Sequence, residues 1–323
     1  MPGHAMRCFG FAAALLLAAP LANAEPYPNH VIKLIVPFPA GGSNDVAARI
    51  IAPHLEQALG QTIIVDNRPA AGGIVGSDAV AKAPPDGHTL LLVASSYTVT
   101  PALNPKLPYD SERDFAPISL IDTNAMVFFV NPRVPANTLP EFIALAKQNP
   151  GKFNYSSPGA GSQTHLLIEL LSRRAGITMQ HVPYKGGAPA MMATITGETE
   201  LTLLAPNVIF PQIKAGNIRP IATGGATRHP QLPDVQTTAE AGFAEVRAIQ
   251  WVGMFTTAGT PTEIVDRLNA ELNRILRLPD VAEKFAAQGV TATGGTSAEF
   301  RTLIASEIRQ WTDMVRAANI KVE

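Results

Sequence analysis

Apolar positions along this chain follow two periods that alternate in order. Short β-branched or leucine-rich runs predict strands: Val31 to Phe38 (VIKLIVPF), Thr62 to Val65 and Thr89 to Ala94. Between them, apolar residues recur three and four positions apart, which predicts helices over Asp45 to Leu59, ended by Gly60, and over Val75 to Ala83, stopped by Pro84-Pro85-Asp86-Gly87. Asp114 to Val130 reads as one extended stretch, and the proline-rich Asn131 to Pro140 leads into a helix over Glu141 to Gln148. A second strand-helix series opens near Phe153 and fades near Ala239, and the tail is helical over Pro261 to Leu276, Asp280 to Gln288 and Ser297 to Ala318. Strand and helix in alternation predict an α/β protein with layered, largely parallel sheets. No repeat of solenoid length is present.

The first residues break this pattern. Arg7 precedes an unbroken apolar run from Phe9 to Leu21, and Ala22-Asn23-Ala24 follows as a small-x-small cleavage pattern. The run is shorter than the roughly 20 residues of a spanning helix, so a removable export signal over residues 1–24 is expected, with Glu25 as the first mature residue. Cys8, the only cysteine, lies ahead of that run and leaves with it. A mature chain without a thiol excludes disulfides, thiolate zinc sites and a cysteine nucleophile. His30, His54, His88, His165, His181 and His229 fall in no metal-ligand spacing, so neither a metal nor a cofactor is expected.

Composition then bounds the partner. The 323 residues are 46% hydrophobic and 16% charged, which supports a packed core, and the length suggests two domains. A formal charge of −1, with no basic run interleaved with aromatics, argues against nucleic acid. The partner expected is a small molecule.

Two segments share one layout. After VIKLIVPF come Pro39-Ala40-Gly41-Gly42-Ser43-Asn44 and a helix; after Lys152 to Ser156 come Ser157-Pro158-Gly159-Ala160-Gly161-Ser162 and a helix from Gln163 to Arg174. Each places glycine at the turn and serine at the expected N-cap. A helix start of this kind offers unpaired N–H groups and the positive end of the dipole, and can hold an anion without lysine or arginine. A third turn, His181-Val182-Pro183-Tyr184-Lys185-Gly186-Gly187-Ala188-Pro189, repeats the strand, glycine and helix order. The loops are not nucleotide fingerprints: Thr164 stands where a third glycine would be, and Gly41-Gly42 has no later Gly-Lys. Nor are Ser43 and Ser162 on a nucleophile elbow, because Asp45 and Thr164 occupy the position of its second glycine. Hydrolysis therefore has no support beyond loose serines. Asp45 pairs as readily with Arg49, one helical turn on, as with any ligand.

Taken together, PFPAGGSNDVAAR, VDNRPAAGGIVGSDAVAKAPPDGHTLLL, PKLPYDSERDFAPISL, NYSSPGAGSQTHL, HVPYKGGAPA, IKAGNIRPIA, LPDVQTTAEAG and WVGMFTTAGTP resemble the Bug family, the periplasmic substrate-binding proteins of tripartite tricarboxylate transporters. The resemblance runs in order through nearly the whole mature chain. It implies a two-domain, type II periplasmic binding protein fold with two crossing strands at the hinge. Domain I would take residues 25–125 and 250–323, and domain II residues 126–249. It further implies capture of a small organic carboxylate without catalysis, as a monomer, and delivery to integral membrane subunits of a transporter. A carboxylate-sensing subunit for a signalling kinase would use the same closure.

Carried over position by position, the resemblance assigns Phe38, Gly41, Gly42, Ser43 and Asp45 to the ligand site from the first loop, and Ser95 and Ser96 from the end of the third strand. Ser156, Gly159, Gly161, Ser162, Gln163 and Thr164 would face them from the other domain, with Tyr184, Lys185 and Gly186 on the third loop. Trp251 and Phe255 are expected in the core rather than the site. One departure bears on the ligand. Many relatives carry an Asp-Asn pair where this chain has Leu204 and Ala205, so the far part of the ligand should be apolar, an aromatic or medium aliphatic acid. Amino acids such as aspartate, and citrate, should be rejected, because a buried unpaired ammonium costs several kcal/mol.

Overall fold

The computed structural model describes Gly3 and residues 27–318. The expected cleavage point after Ala24 and Cys8 lie outside the described residues. The elements run β1 (Ile32–Val36), α1 (Ser43–Leu59), β2 (Ile63–Asn67), a short 3-10 turn at Ala71–Gly73, α2 (Ile74–Ala81), β3 (Thr89–Ala94) and α3 (Ser96–Leu103). They continue with β4 (Phe115–Ala125), β5 (Val127–Val130), α4 (Leu139–Gln148), β6 (Phe153–Ser157), α5 (Gln163–Ala175), β7 (Met179–Pro183), α6 (Gly187–Thr196), β8 (Leu201–Leu204), α7 (Pro206–Lys214) and β9 (Arg219–Thr223). The last are β10 (Ile249–Thr257), α8 (Thr262–Leu276), α9 (Pro279–Ala287), β11 (Thr291–Ala292) and α10 (Ser297–Ala318).

Two sheets result. Six strands are ordered β11-β4-β10-β3-β1-β2 and five are ordered β7-β6-β8-β5-β9. The extended run expected over Asp114 to Val130 is divided between them: β4 closes the six-stranded sheet, and after Met126 the chain enters the other sheet as β5. The chain returns from β9 to β10. Neither sheet is largely parallel, contrary to the expectation from element order. β10 runs antiparallel to both β3 and β4, and β5 antiparallel to both β8 and β9. The strands next to the crossing points run against their neighbours, while β1, β2 and β3 and the β6, β7, β8 group remain parallel.

Each sheet is covered on both faces. On one face of the six-stranded sheet, Ala47, Ile51 and Leu55 of α1 and Leu268, Leu272 and Ile275 of α8 pack on Leu34, Leu90 and Met254. Their three- and four-residue spacing aligns them on one side of each helix. On the other face Phe300, Ile304 and Ile308 of α10 meet Trp251 and Phe255. The same helix continues past the edge of that sheet, and its Trp311, Met314 and Val315 join Leu166, Leu167 and Leu170 of α5 over the five-stranded sheet. α10 thus spans both halves.

The crossing is a small hydrogen-bonded knot. Met126 N–H donates to the Ala248 carbonyl at 2.8 Å, Gly224 N–H to the Met126 carbonyl at 2.8 Å, and Ala248 N–H to the Gly224 carbonyl at 3.2 Å. A Cβ at Gly224 would lie 2.2 Å from the Ala248 Cβ and 2.5 Å from its backbone, so glycine is what allows the two passing chains to approach. Overpacking of this kind costs about 1–3 kcal/mol. Gly224→Ala is expected to lower the melting temperature by about 3 °C or more in a calorimetric scan, and an unchanged Tm would contradict the close approach.

Candidate functional site

The first loop is set by its own acid. Gly41, at φ 81, points its N–H into Asp45 Oδ2 at 2.8 Å, and Arg49 Nε reaches the same carboxylate at 2.9 and 3.0 Å. Burial alone would raise the Asp45 pKa, but the hydrogen bonds from Arg49, the Gly41 N–H and Asn67 outweigh it and hold the carboxyl below its usual value. The N-cap of α1 is Gly42 rather than Ser43, which becomes the first helical residue. The second loop uses a histidine in place of an acid. Gly161, at φ 76, donates its N–H to His165 Nδ1 at 3.0 Å, and Ser162 caps α5 by accepting from the His165 N–H at 3.3 Å. An Nδ1 that accepts must be unprotonated. Burial lowers the His165 pKa accordingly, and its ring stacks on His181 at 3.8 Å, whose pKa burial and then His165 pull down to about 4.

A cavity of about 440 Å³ lies between the two sheets. Four helix starts border it: Ser43 and Asn44 of α1, Ser95 and Ser96 at α3, Ser162, Gln163 and Thr164 at α5, and Ala205 before α7. Helix starts carry unpaired N–H groups and partial positive charge, and among the described residues no lysine, arginine or histidine lines the cavity. Gln163 spans it. Its Oε1 accepts from Ser95 Oγ at 3.0 Å and its Nε2 donates to the Ile249 carbonyl at 2.9 Å, so one amide from α5 holds two groups of the opposite sheet. The lining also has an apolar group, Val46, Ala47 and Ile50 of α1 with Phe285 and Val290. Asp122, Asn124, Gln250 and Gln288 line the cavity as well.

Of the residues expected from the sequence, Ser43, Ser95, Ser96, Ser162, Gln163 and Thr164 are brought together around this cavity. Gly41, Gly42 and Asp45 shape the start of α1, and Gly159 and Gly161 shape that of α5, without themselves lining the cavity. Phe38 lies against the side chains of both faces' cores and its carbonyl accepts from Asn67 Nδ2 at 3.2 Å. Ser156 is fully buried and donates to the Ala190 carbonyl at 2.8 Å, tying β6 to α6. Tyr184 and Gly186 support the second loop, Tyr184 N–H reaching the Ser157 carbonyl and Gly186 N–H the Pro158 carbonyl, and Lys185 between them is not in the cavity lining. Burial and the Glu198 carboxylate push the Tyr184 phenol up to about 12.

The sequence reading passed over Asp122, Asn124 and Gln250; the available signal was an acid and two amides in strands whose other polar residues are only serine and threonine. It also placed Trp251 wholly in the core. Trp251 is buried, with its indole N–H on Glu307, yet one side of it borders the cavity. Among the described residues His30, Asp86 and His88 alone bring three potential metal ligands together. The two imidazoles stack nearly parallel at 3.6 Å, so their in-plane lone pairs do not converge on one ion.

The model of the tripartite tricarboxylate transporter family receptor matches residues 47–320. BugT of Bordetella pertussis is 38% identical over 315 residues, covering 97% of this chain and 96% of that protein. Rpa4515 of R. palustris, solved with adipate, is 31% identical with a TM-score of 0.73, covering 91% of this chain and 99% of that one. MatC from Rhodopseudomonas palustris, solved with bound malate, is 30% identical with a TM-score of 0.70, covering 90% and 100%. The chain belongs to this receptor family, whose members are solute-binding proteins and not enzymes. No described helix is long and apolar enough to cross a membrane.

The histidine stack makes this region sensitive to acid. His181 has a folded pKa of about 4 against an unfolded value near 6.5, so its neutral form contributes stability that is complete above 6.5 and is lost as pH falls towards 4. Between pH 7 and pH 4.5, wild-type protein is expected to lose more melting temperature than His181→Phe. Equal losses in the two proteins would contradict a neutral, buried stack.

Proposed function

We propose that this receptor-family member is a periplasmic solute receptor that captures a small organic carboxylate between its two halves and delivers it to the integral membrane subunits of a tripartite tricarboxylate transporter. The observation that carries this reading is the cavity itself, bordered by four helix starts and, among the described residues, by no cationic side chain. Such a site favours an anion small enough to be surrounded by N–H and hydroxyl donors, each charge-assisted bond contributing about 1.5–3 kcal/mol. In this reading Ser43, Ser95, Ser96, Ser162, Gln163 and Thr164 hold the carboxylate, with Gly41, Gly42, Gly159 and Gly161 fixing the loops. Residues 25–125 with 250–323 form one domain and 126–249 the other, and the chain acts as a monomer after export and cleavage behind Ala24. The apolar wall of Val46, Ile50, Phe285 and Val290 fits a ligand body that is aromatic or medium aliphatic. The adipate of one relative is of that kind.

A thermal-shift and calorimetric panel of carboxylates against the mature protein tests this. Benzoate-like or adipate-like acids are expected to bind, and aspartate, glutamate and citrate to be rejected. A ligand at 100 times its Kd stabilises by about 2.7 kcal/mol. Gln163→Ala should weaken binding more than tenfold, or about 1.4 kcal/mol, with the fold kept and with chelator having no effect. Loss of binding on chelation, or normal binding by the variant, would place the site elsewhere.

A further inference from the structure

Asp122 is the one ionisable side chain that lines the cavity among the described residues, and it faces inward from β4 beside its cross-strand partner Val252. It is 5% exposed. Two positions along the same face stands Asn124, whose amide oxygen is buried with no hydrogen-bond partner among the described residues. Both polar groups line the same cavity as Val46, Ile50, Phe285 and Val290, and neither belongs to a helix start.

Among the described residues, nothing cationic answers the Asp122 carboxyl. On the neighbouring strands, β10 and β11 contain no ionisable residue. On α1, Asp45 is engaged by Gly41 and Arg49, the Arg49 side chain is 56% exposed, His54 faces Asp280, and Glu56 reaches the Ile63 N–H. On α9, Asp280 pairs with Lys284 and Glu283 is exposed. On α8, Glu263, Asp266 and Arg267 are exposed and Glu271 pairs with Arg274. On α10, Glu307 lies across the sheet, held by Thr98 and by the indole of Trp251, and Glu299 is engaged by Thr296. Arg301, Arg309 and Arg316 are exposed and Asp313 lies beyond the sheet edge with Trp311. Burial without a counter-charge favours the neutral acid and raises the Asp122 pKa to about 7.

We propose that Asp122, in its protonated form, is the specificity-determining residue for the far end of the ligand, donating a hydrogen bond to a second carboxylate on an aliphatic diacid. The proton comes from solvent and stays on the pair of carboxyl groups, so binding takes up a proton. The assignment rests on the carboxylate-receptor reading above, and it adds a polar terminus to the apolar-bodied ligand expected there.

The sign follows from linkage. A bound dianion raises the Asp122 pKa further, so affinity is complete below the free value and falls as pH rises above it. With adipate as the probe, affinity should be nearly flat from pH 6 to 6.5 and fall roughly five- to tenfold between pH 7.5 and 8.5. Calorimetry in two buffers of different ionisation heat should show net proton uptake at pH 8. Asp122→Asn, an uncharged isostere that keeps a donor, should bind adipate at pH 8.5 better than wild type and with no pH dependence. Wild-type adipate binding that is flat in pH, without proton uptake, overturns the assignment independently of how the variant folds. So does 6-aminohexanoate binding more tightly than adipate with affinity rising with pH, which would mean a charged Asp122 holding an ammonium. Failure of adipate alone, while other carboxylates bind, overturns this assignment and leaves the receptor reading standing; failure of every carboxylate removes both.

Discussion

The Gln163 side chain is the point on which the arrangement depends. It leaves the first turn of α5, in one half of the molecule, and both ends of its amide bind the other half, through Ser95 Oγ and the Ile249 carbonyl. Those partners are themselves fixed: Ser95 N–H is bonded to the Trp251 carbonyl at 2.8 Å, and Trp251 is held by Glu307 of α10. In this arrangement the two sides of the cavity are linked through one amide, as a ligand between the sheets would link them. The crossing at Met126, Gly224 and Ala248 provides the other fixed point, and α10 packs against both halves beside it.

The electrostatics of the cavity follow from what is left out. With no lysine, arginine or histidine in the lining among the described residues, any attraction for an anion would come from helix starts, which attract without forming a strong point charge. The two titratable groups at the first two loops work on the loops themselves. Asp45 organises Gly41, and neutral His165 organises Gly161, so an acid and an imidazole do equivalent jobs at the two helix starts. Asp122 and Glu307 are both raised to about 7 by burial, but they face opposite sides of the six-stranded sheet, and only Asp122 opens to the cavity.

The periodicities were legible where helices are long and amphipathic. Val265, Leu268, Leu272 and Ile275 mark α8 at helical spacing, and Ser297 to Ala318 is the helix expected from its pattern. α3 was not legible, since SYTVTPAL is short, β-branched and carries Pro101; its helicity depends on packing against α10. Met126 carries no local sign of a switch between sheets, because the apolar run continues through it into Val127 and Phe128; only the family resemblance put a boundary at that point. The helix starts around the cavity were readable from Gly41, Gly42, Gly161 and Ser162. Asp122 and Asn124 were not, because their importance arises from which sheet face is open rather than from any local motif.

On the proposed function, the two halves joined at the crossing draw together on a carboxylate through Gln163. Small-angle X-ray scattering of the mature protein, with and without a saturating carboxylate chosen from the binding panel, is then expected to give a smaller radius of gyration in the bound form. A scattering profile that does not change on saturation would contradict it.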